Sequence, residues 1–292
     1  MNLPELPQHA ASFLFAPANR PERLAKALAG GADMVIADWE DAVAPADKAA
    51  ARTALAEAVG ALAAAGRARV LVRINAEGTP WHADDLQALG PLVAQGIAGV
   101  VVPKAERAPA LHAVAQAAGA RAALLPLVES VAGLDALDAL AAAPQVARLV
   151  FGHLDFQVDA GIDCGENEEE LLPVRMALVL ASRRAGLQAP VDGVTVDTRD
   201  AARMAADAER ARRMGFGGKL CIHPAQVPVL HGVFDPDEAA VAQARRVQQA
   251  LREAGGGVCV VDGRMVDAPV LKRAEQTLAR HARAQARVRP AG

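Results

Sequence analysis

What most restricts the fold of this chain is a repeated alternation. Eight times within the first ~235 residues, a short apolar run gives way to a stretch rich in Ala, Leu and Arg with helical spacing. The runs read SFLFAP, DMVIAD, RVLVRIN, AGVVVPK, AALLPLVES, ARLVFGHLD, VDGVTVD and GGKLCIHP. They are short, rich in Val, Leu and Ile, and mostly continuous rather than alternating with polar residues. Strands of parallel sheets, covered on both faces, have this composition. Between them the spacing predicts helices over RPERLAKALAGG, with Pro21 in the first turn, and from about Ala46 to Ala65. Further helices are expected near Asp84–Gln95, Ala108–Ala118, Leu171–Ala185 and Arg199–Met214, with VAGLDALDALAAA supplying another. Eight such units predict an α/β chain folded as a (β/α)8 TIM barrel; a doubly wound sheet is the alternative. GFGGK lacks Walker spacing, and the Gly run at 255–257 opens no strand–turn–helix unit, so neither argues for a nucleotide fold.

The barrel would fill residues 1–234 as the catalytic domain and leave residues 235–292 as a C-terminal appendage. That tail predicts a helix over Asp237–Glu253, a flexible AGGG segment, a hairpin in VCVVDGRMVD and a last helix from Pro269. A barrel needs none of these. The appendage either packs on a neighbouring subunit or over an active site, or merely caps its own barrel. Glu168–Glu170 read most simply as a solvated helix start.

Composition removes several classes of partner. A formal charge of −3, 3% aromatics and no Tyr give neither a basic field nor a stacking platform for nucleic acid. No run approaches the ~20 apolar residues of a membrane span, and the first residues lack a charged region followed by a long apolar one. No membrane partner and a cytoplasmic location are therefore expected. Cys164, Cys221 and Cys259 are odd in number and far apart, which suits a reducing compartment. Cys221 and His223 make at most half a metal site; a core Cys beside a loop His is the simpler reading.

The predicted strand ends read Asp38/Glu40/Asp41, Arg73/Asn75, Lys104/Glu106, Glu129, Asp155, Asp192/Asp197 and Lys219/His223. Any single one marks no more than the start of a loop. A closed barrel, however, brings all of them around one mouth. Carboxylates so gathered raise one another's pKa unless a cation neutralises them. Glu129 and Asp155, on adjacent predicted strands, offer hard oxygen ligands suited to Mg²⁺, with Mn²⁺ as the alternative; zinc lacks its usual His and Cys. Arg73 could grip a carboxylate in a bidentate fork. A metal and an arginine at one mouth describe a site for a 2-oxo acid, whose carbonyl and carboxylate chelate the ion.

The segments SFLFAPANRPERLAKAL, ADWEDAVAPADKAAAR, VRIN, VVPKAE, PLVES, FGHLDF, GFGGKLCIHPAQ and VVDGRMVDAPVLKRA cover nearly the whole chain. In that order they resemble the citrate lyase beta-chain-like group of the HpcH/HpaI aldolase superfamily, with its malyl-CoA and citramalyl-CoA lyases. The resemblance implies a (β/α)8 barrel, usually a homotrimer or a dimer of trimers, with Mg²⁺ held by Glu129 and Asp155. It implies that Arg73, with Glu129, binds the substrate, and that Glu40 and Asp41 are the acidic pair beside the metal. CoA is bound near the first and last strands in this family, which nominates Arg20, Arg23, Lys26 and Lys48 as phosphate contacts; taken alone, these are solvated helix faces. Asp267 matches an acid/base that relatives place over a neighbour's site. Two positions depart from the pattern: Trp39 stands where a small aliphatic is usual and could reshape the pocket wall. His153, where relatives vary, either donates to substrate or ligand or supports the structure behind Asp155.

The expected activity is that of a Mg²⁺-dependent carbon–carbon lyase. It would cleave citryl-, malyl- or citramalyl-CoA to acetyl-CoA and a 2-oxo acid, or run in reverse. The alternatives are a malyl-CoA thioesterase or malate synthase-like enzyme, a citrate lyase beta subunit acting on an acyl carrier partner, and a silent barrel kept for assembly.

Overall fold

Eight parallel strands close on themselves in sequence order: β1 Ser12–Pro17, β2 Met34–Asp38, β3 Val70–Arg73, β4 Gly99–Val102, β5 Ala123–Val128, β6 Val150–Phe151, β7 Val191–Asp192 and β8 Gly218–Cys221. The structure is a computed structural model that describes residues 3–254 and 257–288. Because β1 pairs in parallel with both β2 and β8, Leu14 lying opposite Cys221, the sheet has no edge. This is the (β/α)8 barrel rather than a doubly wound sheet.

Burial on both faces explains the continuous apolar runs. Phe13, Met34, Ile36, Leu71, Val101, Leu125, Leu127 and Val150 pack into one buried cluster. Strand β4 starts with glycine for a steric reason: a Cβ on Gly99 would lie 1.9 Å from the Ala123 carbonyl oxygen of β5.

The helices between and after these strands, up to residue 234, are α1 Glu5–His9, α2 Pro21–Ala29, α3 Lys48–Ala61, α4 Ala64–Arg67, α5 His82–Gln95, α6 Ala108–Ala118, α7 Val131–Asp135, α8 Leu137–Ala141, α9 His153–Ala160, α10 Leu172–Arg184, α11 Ala201–Met214 and α12 Gln226–Phe234, with α1 preceding β1. Two depart from expectation. The long helix expected from Ala46 to Ala65 breaks where Leu62 and Ala63 turn extended, a break that an unpunctuated Ala-rich run does not announce. Helix α1, unforeseen, is tied down by Arg148, which is 1% exposed and donates to the carbonyls of Ala10, Ala189 and Pro190.

The chain forms two compact units, Met1–Leu230 and His231–Gly292. The second contains α13 Glu238–Glu253, the hairpin β9 Cys259–Val261 and β10 Arg264–Val266, and α14 Ala268–Val288. Asp237 caps α13 by accepting from the Ala240 amide at 2.7 Å. Ala244, Val247, Leu251, Val266 and Ala274 form its own core. Of the AGGG segment expected to be flexible, Gly255 and Gly256 lie outside the described residues. No helix among the described residues is long and apolar enough to cross a membrane.

Candidate active site

The last residues of β2 and β3, Asp38 and Arg73, are register partners. Arg73 Nε donates to Asp38 Oδ1 at 2.7 Å and Nη2 to Oδ2 at 2.6 Å. Its Nη1 lies 3.0 Å from Glu40 Oε2, and Nη2 lies 3.3 Å from Asp41 Oδ2. The guanidinium also sits 4.8 Å from the centre of the Phe15 ring. Burial alone would lower the Arg73 pKa, but Asp38, Glu40 and Asp41 outweigh it and hold the charge firmly in place. The arginine foreseen as a free fork therefore already has its Nε/Nη2 edge occupied by Asp38. Only the Nη1 side, beside Glu40, is left for an incoming carboxylate.

Glu129, which follows β5, is 5% exposed. Its Oε1 accepts from the Lys104 amide at 2.7 Å, and no hydrogen bond to Oε2 occurs among the described residues. Lys104 adopts φ +44°, the left-handed region that L-residues seldom occupy. Behind Oε2 there is room for glycine only, since a Cβ on Gly152 would come within 2.6 Å of it. Burial pushes the Glu129 pKa up to about 7, and repulsion from Asp155 adds to it, against the Lys104 amide and Arg73. Burial likewise lifts Glu40 to about 8, opposed by Arg73 and reinforced by Asp41, Glu129 and Asp38.

Asp155 is displaced from the strand end where it was expected. Strand β6 stops at Phe151, the chain turns at Gly152, and Asp155 lies exposed in the first turn of α9. Its charge still reaches Glu129, whose pKa it helps to raise. A divalent cation fits the chemistry of this pair: a buried Glu129 with raised proton affinity and one oxygen without a protein donor, an exposed Asp155 beside it, and hard oxygen donors in both. Among the described residues no group of three or more His, Cys, Asp or Glu side chains gathers to hold a metal, so two carboxylates with water is the donor set on offer. Cys221 is fully buried, and His223 Nδ1 accepts from the Ala225 amide at 3.2 Å, which removes the half metal site considered there.

A cleft of about 580 Å³ opens at the ends of β1 and β8, lined by Phe15, Pro17, Arg23, Lys26, Ile222 and His223 among others. Phe15 thus touches both the cleft and Arg73. Arg20 is exposed and lies 4.0 Å from Glu22, outside the lining. Lys48 is corrected outright. It is 5% exposed, and its ammonium donates to Trp39 O, Glu40 O and Asn75 Oδ1 at 2.6–2.7 Å, which leaves no proton for a phosphate.

Trp39 is fully buried and is not among the residues that line the cleft; its Nε1 has no partner among the described residues. Glu168, read as part of a solvated helix start, is instead an ionic hub with a side chain 14% exposed. It accepts from Arg175 and from Arg210 at 2.8 Å, with Arg203 at 3.8 Å and His153 Nε2 at 3.5 Å. Arg175 continues inward to Asp192 at 3.0 Å. Burial drives the His153 pKa down to about 4, so this ring is neutral and supports the start of α9. In the second unit, Asp267 is half-buried and its Oδ1 accepts from the Val270 amide at 3.3 Å, making it the cap of α14.

Sequence reasoning missed the anchoring role of Asp38. The signal was available: opposite charges ending two successive strands at matched positions.

The HpcH/HpaI aldolase/citrate lyase family model matches residues 11–224. A citrate lyase subunit beta-like protein of Deinococcus radiodurans is 39% identical over 97% of this chain and 100% of its own length. Two Cereibacter sphaeroides proteins are also similar. One, a (3S)-malyl-CoA thioesterase, is 35% identical over 92% of this chain and 93% of its own. The other, an L-malyl-CoA/beta-methylmalyl-CoA lyase, is 32% identical over 90% and 91%. Among solved structures, protein CitE from Mycobacterium tuberculosis in complex with magnesium, acetoacetate and coenzyme A superposes with a TM-score of 0.79 at 36% identity, covering 94% of this chain and 99% of that one. With the closed barrel and its acidic mouth, these matches establish that the chain belongs to the HpcH/HpaI aldolase/citrate lyase family.

Proposed function

We propose that the protein is a Mg²⁺-dependent carbon–carbon lyase. It cleaves a 3-hydroxy acyl-CoA such as citryl-, malyl- or citramalyl-CoA to acetyl-CoA and a 2-oxo acid, or joins the two. One observation carries the reading: Glu129, buried and braced by Lys104 and Gly152, shares the barrel mouth with an Arg73 locked by Asp38. Glu129 and Asp155 would hold the ion, with Mn²⁺ an acceptable substitute. When bound, it supplies a Lewis acid that favours charge on the oxo-acid carbonyl oxygen.

The chain's own residues carry the rest. Arg73 binds the substrate carboxylate through its Nη1 side and fixes the carbonyl against the mouth. Glu40, beside the same Nη1, and Asp41, beside Nη2, hold ordered water and orient Arg73. As the carbon–carbon bond breaks, the 3-hydroxyl gives up a proton and the bonding pair becomes the enolate of the departing thioester. A proton returned to its carbon completes acetyl-CoA. We assign this transfer to Asp267 of a neighbouring copy in a cyclic homo-oligomer. The hairpin just before it presents Val258, Val260 and Met265, each at least 67% exposed, a face suited to burial against another subunit. Arg23 and Lys26, in the cleft beside β1 and β8, are the favoured contacts for the CoA phosphates, with Arg20 at its margin. The free Cys164, Cys221 and Cys259 support a reducing, cytoplasmic setting.

The test is to incubate the chain with malyl-, citramalyl- and citryl-CoA and Mg²⁺ and identify products by mass. Acetyl-CoA with a 2-oxo acid is expected. Free CoA in its place would move the assignment to the thioesterase outcome of the similar Cereibacter protein. Activity only with an acyl carrier protein would make the chain a complex subunit.

A further inference from the structure

Lys48 opens α3, yet its side chain serves the end of β2. Its three ammonium protons go to the Trp39 carbonyl at 2.6 Å, the Glu40 carbonyl at 2.7 Å and Asn75 Oδ1 at 2.7 Å. The ammonium also lies 5.0 Å from the centre of the Trp81 ring. Asn75 is fixed in turn, since its backbone N–H and Nδ2 both donate to Asp85 Oδ2 at 2.7 Å. Asp85 is fully buried, and its Oδ1 accepts from Arg52 at 2.8 Å. A continuous line of buried and half-buried donors and acceptors thus runs from α3 and α5 to the backbone carbonyls of Trp39 and Glu40.

The same segment is gripped from its other side. Asp38 Oδ1 accepts from the Glu40 amide at 2.9 Å and Oδ2 from the Ala42 amide at 3.0 Å. Carbonyls held by Lys48 and amides held by Asp38 leave the backbone from Trp39 to Ala42 little freedom. Strand β2 ends at Asp38, so the grip acts on the segment that follows the strand. What it fixes is the direction in which the Glu40 carboxylate leaves the chain, 3.0 Å from Arg73.

We propose that Lys48, backed by Asn75 and Asp85, is a positioning residue that clamps the Trp39–Ala42 segment and so aims Glu40 at Arg73. This rests on the reading that Glu40 works at the active site. Outer residues that hold the groups around a metal centre typically matter 10–100-fold for activity or affinity, about the loss expected here. A cation contacting a CoA phosphate would act differently, through KM. A residue that only packs would change stability without coupling to Glu40.

Three measurements test the clamp. In Lys48→Met, hydrogen exchange at the Glu40 and Ala42 amides should quicken at least ~10-fold while the barrel strands keep their protection. With whichever of the three CoA thioesters turns over fastest, kcat should fall ~10–100-fold at an unchanged KM. Lys48→Met should cost nothing further in a Glu40→Gln background, as residues acting through one another do. Asn75→Ala, which keeps the lysine, should move all three readouts the same way and serves if Lys48→Met does not fold. Unchanged exchange at residues 40 and 42, a raised KM at constant kcat, or additive losses in the double variant would overturn the proposal. Should Glu40→Gln itself be fully active while exchange still quickens, the functional reading of Glu40 falls and takes the aiming role with it.

Discussion

Asp38 and Arg73 end adjacent strands at the same register position and are joined by two hydrogen bonds, of 2.7 and 2.6 Å. Neither belongs to a flexible loop. A charge fixed this way cannot swing to meet a ligand; on the function proposed above, a substrate carboxylate would come to its Nη1 side.

The pair should be sensitive to shape as well as charge. Arg73→Lys is expected to lose nearly as much kcat/KM as Arg73→Ala, because an ammonium cannot serve Asp38, Glu40 and a substrate carboxylate together. Asp38→Ala leaves a buried guanidinium short of its main partner and should destabilise the fold by about 3–5 kcal/mol, read by denaturant unfolding. A Lys variant with near-normal kcat/KM would show that Arg73 is not the clamp.

Metal binding should fail in Glu129→Gln and in Asp155→Asn while the barrel stays folded, as calorimetry with Mg²⁺ and circular dichroism can check. Unchanged affinity in both would place the ion elsewhere.

Gly152→Ala offers a test that leaves both carboxylates in the sequence. The backbone there, φ −97°, accepts alanine, but the new methyl would meet Glu129 Oε2 at 2.6 Å. Mg²⁺ affinity should drop ~10-fold or more, with a modest overpacking cost of ~1–3 kcal/mol.

Titration follows from Glu129 at about 7 and Glu40 at about 8, both raised above an ordinary value of 4.5. A raised carboxyl favours the folded state while protonated. Its contribution is complete below the ordinary value and is lost as pH climbs through the raised one. The metal-free protein should therefore lose thermal stability between about pH 5 and 8, from this pair, and Mg²⁺ should restore more of it the higher the pH. Melting curves with and without Mg²⁺ across that range decide it. A constant difference would mean that neither acid titrates against the ion.

Asp267 is tested by mixing. Asn preserves a cap at the start of α14, so Asp267→Asn should fold normally. If the residue serves a neighbour, inactive Asp267→Asn chains reassembled with inactive Glu129→Gln chains should regain about a quarter of the active sites, since each subunit in a ring meets its neighbour alike. No recovery, with unmutated chains surviving the same treatment, would return Asp267 to a capping role alone.

The barrel could be read from the sequence because strands buried on both faces leave a pattern in composition. The carboxylates could be listed for the same reason, since they follow those runs. Their settings could not. Asp155 sits on a helix because β6 is cut short at Gly152, and the cramped spot that requires glycine there is created by Glu129, 23 positions away. Lys48 looked like any charge on an Ala-rich helix until Trp39, Glu40 and Asn75 closed around it. Glu168 looked solvated because its three arginines lie later in the chain, on α10 and α11. Each case turns on a contact between distant residues, which local periodicity does not encode.

The left-handed backbone at Lys104 separates two kinds of information at one position. What braces Glu129 is the amide, while the side chain points to solvent and contributes only a nearby positive charge. The residue can therefore be exchanged for anything that tolerates this conformation, asparagine or glycine readily and valine or isoleucine not. Position 104 is accordingly a dial for the local field that an engineer can turn without moving the carboxylate it supports.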